Sequence, residues 1–286
     1  ISLKWDQLII NPQELETLSG NPYKVFTPFF NRWIKETNKK SFSNNYLTNN
    51  KPSKEILGIK IGSKFKAKHP ELIRAYGQTI EVLNSLHRKD NSFSKEICPC
   101  KPGEAAGKLQ LEEFCNQGII FNYSENRDIP SKLKTSKISA GLTFGTISPR
   151  QAWIASENVI ALAANKTQLD SIYTWKKELA WREFYQHALF HFPELANGSF
   201  RKIWRYFPWE NNQNSFNCWC ESQTGIPIID AAMRELNQSG WMHNRCRMIV
   251  ASFLVKDLIC DWRLGESFFM EKLIDGDLAS NNGGWQ

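Results

Sequence analysis

The chain has 286 residues, enough for one large domain or two of ordinary size. Hydrophobic residues make up 41% of it, so a sizeable core can form and a globally disordered chain is excluded. The formal net charge of +7 permits a polyanionic partner, and the 11 tryptophans indicate stacking surfaces, because a buried indole needs a partner for its N–H.

Cysteine content and hydropathy favour an intracellular chain. The seven cysteines are an odd number and no secretory signal precedes them, so we expect reduced thiols in the cytoplasm of a bacterial-type cell. Their C-x-C spacings do not match the C-x-x-C pattern of zinc sites, and no metal site is predicted. No apolar run approaches the ~18 residues that a membrane span requires.

The N-terminal part changes character along its length. Residues 5 to 10, WDQLII, predict a β-strand, and because the chain begins with Ile1 we expect a fragment cut at both ends. Aromatic residues between Tyr23 and Trp33 predict a packed turn that leads into a short helix. Residues 36 to 70 are rich in Lys, Asn and Ser, a composition typical of a solvated linker.

The pattern becomes helical from about residue 103 onward. Nothing after residue 100 alternates with period two for long, so a mainly α fold is predicted. Capping residues, prolines and glycines place helices over residues 148 to 165, 172 to 192, 227 to 239, 242 to 260 and 265 to 273.

Four residues of the segment WKKELAWREFYQH share one helical face: Glu178, Trp181, Arg182 and Tyr185. They could form a site that offers a carboxylate, a flat stacking surface and a cation together. The alternative is an ordinary helix with one Glu–Arg pair beside an aromatic core.

The same segment contributes His187, which pairs with His191 at a spacing of four residues. Two histidines at this spacing can bind zinc. The Glu of the H-E-x-x-H motif is missing, so ordinary packing is the alternative.

Hydroxyl groups mark the segment TSKISAGLTFGTISP. Thr135, Ser136 and Ser139 lie at the start of a predicted helix, where free backbone N–H groups and the helix dipole favour an anion. Plain helix capping is the alternative.

A helical stripe in WMHNRCRMIVASF combines Asn244, Arg247 and Met248. A Met on an apolar stripe is usually core, but a buried Arg needs an acidic partner. The pair Asp275 and Asp277 is the obvious source of that partner.

The last eleven residues, GDLASNNGGWQ, predict a ligand contact. Gly283 and Gly284 would let the backbone approach a flat ligand closely. Asp277 and Asn281 can reach donors and acceptors on the edge of a heteroaromatic ring.

Five segments in order carry a resemblance to a known family: YKVFTPF, TSKISAGLTFGTISPRQ, WKKELAWREFYQH, GIPIIDAAMRELNQSGWMHNRCRMIVASFLVKDL and DWRLGESFFMEKLIDGDLASNNGGWQ. With them the chain resembles the photolyase/cryptochrome family, and within it the class I cyclobutane pyrimidine dimer DNA photolyases. The resemblance is dense from residue 112 onward and weak over residues 36 to 100.

The resemblance implies a domain organisation. The family joins an N-terminal α/β antenna domain to a helical domain that holds FAD. Residues 1–35 would be the end of the antenna domain and the start of the connector, residues 36–102 an interdomain linker, and residues 103–286 the helical FAD-binding catalytic domain, truncated at its C-terminus. A second antenna chromophore, of the folate or deazaflavin type, would belong to the missing N-terminal domain.

The resemblance also implies roles for individual residues. The implied FAD-binding residues are Tyr123, Thr135, Ser136, Ile138, Ser139, Arg182, Arg247, Asp275, Asp277 and Asn281, with Asn281 facing the flavin N5. The implied pocket for a flipped-out dimer consists of Glu178, Trp181, Asn244, Arg245 and Met248. The implied electron relay to the flavin consists of Trp285, Trp262 and Trp209.

The implied function is light-dependent DNA repair. Excited reduced FAD would donate an electron to a flipped-out cyclobutane pyrimidine dimer in UV-damaged DNA, and the ring would split. Asn281 and Met248 favour such a repair enzyme, expected to be a monomer, over a cryptochrome-type blue-light receptor that binds FAD without repair. A non-enzymatic helical scaffold is the third alternative.

Overall fold

Every regular element in the described part of the chain is helical; the computed structural model describes residues 7–40, 42 and 99–286. The α-helices are α1 (Phe26–Lys39), α2 (Glu104–Asn116), α3 (Tyr123–Asn126), α4 (Ser139–Phe144), α5 (Pro149–Asn158), α6 (Lys166–His191), α7 (Gln213–Cys220), α8 (Pro227–Ser239), α9 (Asn244–Ser252), α10 (Trp262–Lys272) and α11 (Leu278–Trp285). Short 3₁₀ helices lie at Pro12–Glu14, Ile119–Asn122, Pro130–Lys132, Ile160–Leu162, Pro193–Asn197 and Lys202–Trp204, and a π-helical turn at Phe253–Asp257. The predicted mainly α fold is confirmed.

None of these helices is at once long enough and apolar enough to span a membrane.

The strand predicted over residues 5 to 10 is wrong for the residues that the structure describes. Residues 7–10 form no strand, while residues 1–6 lie outside the described part. The backbone N–H groups of Ile9 and Ile10 donate to the carboxylate of Glu183, so a side chain takes the place of a neighbouring strand. The apolar side chains of this segment are still buried, as a strand would require.

The predicted linker, residues 36–102, overlaps regular structure at its start. Helix α1 continues to Lys39, past the predicted boundary at residue 35. Residues 43–98 of the linker lie outside the described residues.

Helix α6 is the longest described helix, with 26 residues and a length of about 39 Å. It begins at Lys166, earlier than the predicted residue 172, because the side chain of Asn165 accepts a hydrogen bond from the Gln168 N–H at 3.0 Å. It contacts α1, α3, α5 and α11, so it forms the axis of the described structure.

One stripe of α6 holds the N-terminal segment and α1 in place. Buried Glu183 accepts a hydrogen bond from Trp33 Nε1 at 2.7 Å besides those from the segment's N–H groups. Burial raises the pKa of Glu183 to about 7, although its three N–H donors act in the opposite direction. One and two turns further on, His187 and His191 bond the backbone carbonyls of Ile10 and Pro12, each at 3.1 Å.

Two hydrophobic clusters form the core. The first joins the N-terminal segment and α1 to α2, α5 and α6, and its fully buried members include Phe29 and Trp33. The second joins α7, α8, α9 and α10, and its fully buried members include Trp219 and Met233. Each cluster buries large apolar side chains, which supplies the main stabilisation of the fold.

Local sequence signals determine several helix ends in the second half of the chain. Helix α8 runs from Pro227 to Ser239 as predicted, and Gly240 follows it in the left-handed conformation that a glycine tolerates. The helix predicted over residues 242 to 260 is instead α9, which ends at Ser252 and passes into the π-helical turn. Helix α11 was not predicted as a helix, although Asp277 caps its first turn by accepting from the Ser280 N–H.

A His187→Gln variant tests whether a neutral, buried imidazole stabilises the packing of the N-terminal segment against α6. Burial lowers the pKa of His187 from 6.5 to about 4, so its contribution to stability is present above pH 6.5 and lost as the pH falls toward 4. In urea titrations, the free energy of unfolding of the parent chain should fall between these pH values by about 2–3 kcal/mol more than that of the variant.

His191→Gln removes the same kind of histidine–carbonyl bond one turn away and controls for that loss. An acid dependence that is the same in the His187→Gln variant and the parent chain would refute the assignment.

Candidate functional site

A cavity of about 590 Å³, the main cavity, lies where both hydrophobic clusters meet. Its volume is within the range of small-molecule and cofactor sites. Its walls include most of the predicted site residues: Tyr123, Ser136, Ile138, Ser139, Glu178, Trp181, Arg182, Asn244, Arg245, Arg247, Met248, Asp275, Asp277, Asn281 and Trp285. Helices that are far apart in sequence, chiefly α4, α6, α9 and α11, therefore contribute to one site.

Three predicted residues lie outside the main cavity. Thr135 lines a smaller side cavity of about 200 Å³, which shares Tyr123 and Ser136 with the main one. Trp209 and Trp262 line a separate tryptophan cleft of about 300 Å³.

A buried carboxylate organises one wall of the main cavity. Asp275 accepts hydrogen bonds from Ser139 Oγ at 2.6 Å and from Arg247 Nη2 at 2.8 and 3.0 Å. Arg247 also donates through Nε to the carbonyl of Met242 at 2.9 Å. The sequence-based expectation that an Arg of α9 pairs with the terminal acidic segment is confirmed for Arg247 and Asp275, and Ser139 joins the pair from α4.

Asp277 lies between α6 and α11. Its carboxylate accepts from the backbone N–H and the hydroxyl of Ser280, at 2.9 and 2.6 Å, and from Gln186 Nε2 at 2.8 Å. Gln186 was not predicted as a site residue; it lies one turn after Arg182 on α6, a spacing that could have indicated it. On that face, burial lowers the pKa of Arg182, which donates to the Gln7 carbonyl at 2.6 Å.

The amide of Asn281 is held on both sides. Its Nδ2 donates to the carbonyl oxygen of Glu266 at 2.9 Å and to Glu266 Oε1 at 3.2 Å, and its Oδ1 accepts from Trp285 Nε1 at 3.2 Å. Burial raises the pKa of Glu266. Glu266, on α10, fixes Asn281 from behind and was missed at the sequence level because nothing in the chain order links the two.

The two glycines of α11, Gly283 and Gly284, have different structural roles. A Cβ at Gly283 would overlap the ring of Tyr185, so this glycine allows α11 to pack against α6. A Cβ at Gly284 would meet nothing within 4 Å, and Gly284 lines the main cavity. Of the two, only Gly284 leaves space beside the cavity for a ligand.

Trp181 forms an aromatic wall with Phe26 and Tyr185. The ring of Phe26 stacks on it with a centroid distance of 3.4 Å and an interplanar angle of 5°, and that of Tyr185 lies 5.7 Å away at 28°. One face of the Trp181 indole is therefore covered, and a ligand in the cavity would contact the remaining exposed surface.

Charged side chains occupy the region where the main and side cavities meet. Arg127 Nη1 donates to Glu178 Oε1 at 2.6 Å, and Arg245 forms an ion pair with Asp128. Burial raises the pKa of Glu178, and the hydrogen bond from Arg245 lowers that of Asp128. Sequence reasoning did not assign Arg127 or Asp128 to the site, although both line the side cavity.

Aromatic neighbours of Trp285 include a residue that sequence reasoning missed. The fully buried ring of Trp219 lies 6.5 Å from that of Trp285, and Phe269 lies 5.2 Å from it. Trp219 Nε1 donates to the carbonyl of Val250 at 3.0 Å.

The histidine pair of α6 makes backbone hydrogen bonds, as the packing alternative predicted. Within residues 7–40, 42 and 99–286, no group of three His, Cys, Asp or Glu residues is placed to hold a metal ion.

The chemistry of the main cavity suits a large, polar heteroaromatic ligand. Hydroxyl groups of Ser136 and Ser139 and the cation of Arg182 can meet phosphate oxygens. Carboxylates and the Asn281 amide can meet the donors and acceptors of a ring edge. These are the group types that FAD requires, so the residues present fit this cofactor.

An Asp275→Asn variant tests the importance of the buried ion pair. The side chain of Asp275 is 2% exposed and that of Arg247 is 23% exposed, so the substitution leaves a poorly solvated cation. We expect the free energy of unfolding to fall by about 2–4 kcal/mol, measured by denaturant titration.

Glu104→Gln, which removes the exposed Lys108–Glu104 pair, is the control and should cost less than about 1 kcal/mol. Equal losses in the two variants would contradict the assigned role of Asp275.

Comparisons with known proteins agree on one family. The sequence model for the FAD binding domain of DNA photolyase matches residues 175–286. A curated deoxyribodipyrimidine photo-lyase from Synechococcus sp. is 45% identical over 283 residues, which cover 99% of this chain and 54% of that protein. Its counterpart from Escherichia coli is 40% identical over 286 residues, which cover 98% of this chain and 54% of that protein. The chain thus spans about half the length of these curated relatives.

Solved structures give the same result. The crystal structure of a bacterial class III photolyase from Agrobacterium tumefaciens matches with a TM-score of 0.72 and 34% identity, over 98% of this chain and 53% of that one. A cryptochrome from Synechocystis sp. matches with a TM-score of 0.59 and 34% identity, over 66% of this chain and 39% of that one. Residues 175–286 are thus of the FAD-binding type of DNA photolyase, and the chain as a whole is similar to proteins of the photolyase/cryptochrome family.

Proposed function

We propose that the chain is the FAD-binding catalytic part of a DNA photolyase that splits cyclobutane pyrimidine dimers in UV-damaged DNA. One observation carries the proposal: a single cavity gathers the groups expected to hold FAD and the groups expected to hold the lesion. The similarity to deoxyribodipyrimidine photo-lyases over almost the whole chain supports it.

The cofactor would be held by two sets of residues. Ser136, Ser139 and Arg182 would bind the phosphates and ribityl chain, with Tyr123, Thr135 and Ile138 beside them. The flavin edge would meet the Arg247–Asp275 pair, Asp277 and Asn281. When bound, FAD supplies the absorption of light and the transferable electron.

The lesion would be held by α6 and α9. A damaged base pair is already weakly stacked, so extruding it into a cavity costs only a few kcal/mol. The exposed surface of Trp181 would stack on the dimer, while Glu178 and Asn244 would hydrogen-bond its edge. Exposed Met248 would contact its apolar surface, and Arg245 a phosphate.

Electrons would reach the cofactor through tryptophans. Trp285 lines the main cavity, and Trp262 and Trp209 line a common cleft, with Trp209 half-buried and Trp262 buried. This arrangement is compatible with a relay from the surface inward. A further antenna chromophore, a monomeric state and a cytoplasmic location remain predictions.

A cryptochrome-type light receptor is the second candidate, because the chain is also similar to a solved cryptochrome. Such a receptor would bind FAD in the same cavity without repairing DNA. Asn281 and Met248, both lining that cavity, favour repair.

The deciding experiment measures repair by the purified chain reconstituted with FAD. We expect a flavin absorption spectrum and, under blue light with a reductant, conversion of a dimer-containing oligonucleotide to the undamaged one. The dark reaction is the control. Bound, photoreducible flavin without repair would favour the receptor, and a chain that binds no flavin would favour a scaffold.

A Trp181→Ala variant tests the proposed contact with the dimer. Loss of one base–aromatic stack should weaken binding of dimer-containing DNA by about 1–3 kcal/mol, measured by fluorescence anisotropy. Binding of undamaged DNA should change much less.

Because Trp181 also packs on Phe26, the melting temperature must be measured as well. Phe26→Leu removes the same ring–ring contact from the other side and is the matched control. An equal loss of affinity for damaged and undamaged DNA would leave Trp181 with a structural role only.

A further inference from the structure

Four charged side chains of alternating sign connect α6 to α9. Arg127 Nη1 lies 2.6 Å from Glu178 Oε1, Arg127 Nε lies 3.7 Å from Asp128 Oδ1, and Asp128 pairs with Arg245. We call this series Glu178–Arg127–Asp128–Arg245 the charge clasp. Its two inner members are consecutive in sequence, so the short segment between α3 and α4 bridges two helices that are far apart in the chain.

The charge clasp lies within the proposed DNA site. All four residues line the side cavity, and Glu178, Arg127 and Arg245 also line the main cavity. The side chains are partly open to solvent: Glu178 is 31% exposed, Arg127 23%, Arg245 35% and Asp128 53%. A DNA strand at this surface would therefore meet them directly.

Charge cancellation within the clasp opposes the binding of phosphate. The two arginines are each paired with a carboxylate, and the four formal charges sum to zero. Asp128 occupies Nη2 of the Arg245 guanidinium, so a phosphate at Arg245 must compete with it, and the negative charge of Asp128 repels that phosphate. The Arg245–Asp128 pair is exposed, and exposed pairs are weak, so displacement is possible but reduces the affinity a few-fold.

A lesion changes this balance. A dimer edge that hydrogen-bonds to Glu178 competes with Arg127 for the same carboxylate. Arg127 is then free to interact with Asp128 or with a phosphate. When it interacts with Asp128, it weakens the ion pair between Asp128 and Arg245. Undamaged DNA places no base in the cavity and leaves the clasp closed.

We propose that Asp128 is a specificity-determining residue that withholds Arg245 from the phosphates of undamaged DNA until a lesion engages Glu178. This inference rests on the proposed function. The hydrogen bond from Arg245 lowers the pKa of Asp128, which keeps its carboxylate charged at neutral pH. Asp128 acts through Arg245 and need not touch the lesion.

An Asp128→Asn variant of the FAD-reconstituted chain tests the proposal. Dissociation constants for an undamaged duplex and for the same duplex with one dimer would be measured by fluorescence anisotropy across a salt series. Affinity for undamaged DNA should rise about 3–10-fold at low salt, affinity for damaged DNA should rise less than about 2-fold, and the selectivity should fall accordingly. The slope of log affinity against log salt concentration for undamaged DNA should become steeper by about 1, because the variant makes one additional phosphate contact.

Two further variants make the result specific. Asp170→Asn removes an equal charge from an exposed residue that lines none of these cavities, so it measures the effect of net charge alone. In the double variant Asp128→Asn with Arg245→Gln, the gain on undamaged DNA should disappear, because the released cation is gone. Melting temperatures would show that each variant is folded, and Asp128→Ser would replace Asp128→Asn if the latter is not.

Unchanged selectivity in Asp128→Asn, or a loss of affinity for both duplexes, would overturn the inference while a dimer-selective parent chain still supports the proposed function. A gain in Asp128→Asn no larger than that in Asp170→Asn would also overturn it. A parent chain that does not prefer the damaged duplex would overturn the proposed function itself and this inference with it.

Discussion

The buried carboxylate of Asp275 is the constraint on which the site depends. It lies between α10 and α11 in sequence, and it binds Ser139 of α4 and Arg247 of α9 in space. Removing a charge from water is costly unless the charge is paired. The buried carboxylate therefore requires that Ser139 and Arg247 stay beside it. Two walls of the main cavity are thereby set at a defined separation.

Helix α6 connects that site to the rest of the structure through two opposite faces. At about 100° per residue, Glu183, His187 and His191 lie on the far side of the helix from Glu178, Trp181 and Tyr185. The first face bonds the N-terminal segment and α1, and the second lines the main cavity. Rigid anchoring on one face keeps the side chains of the other in position, which a site that must hold a planar cofactor needs.

Six charged side chains of the main and side cavities neutralise one another in pairs. Arg247 pairs with Asp275, Arg127 with Glu178 and Arg245 with Asp128, while Gln186 satisfies Asp277. Such internal pairing stabilises a polar cavity in the absence of ligand, and a charged ligand that binds a member of one of these pairs must compete with its partner. The cavity can therefore discriminate among ligands by what they displace as well as by what they contact.

The sequence by itself determined the helical class, the N-terminal end of α5, both ends of α8, and the group of polar residues that line the main cavity; the predicted end of α5 at residue 165 is wrong, because that helix ends at Asn158. These features depend on local signals, such as the Ser148 cap, Pro227 and Gly240, or on motifs dense enough to carry a family resemblance. It misjudged the N-terminal segment, whose apolar run fits a strand equally well, because burial against α6 was not visible.

Only the tertiary structure decided which residues meet. It placed Glu266 behind Asn281, the ring of Tyr185 where a Cβ of Gly283 would be, and Phe26 on one face of Trp181. It also connected Asp128 to Arg245 across 117 positions of sequence. Helical periodicity specifies which face of a helix a residue occupies, but the partner on a distant helix follows from how the helices pack, and no local pattern records that.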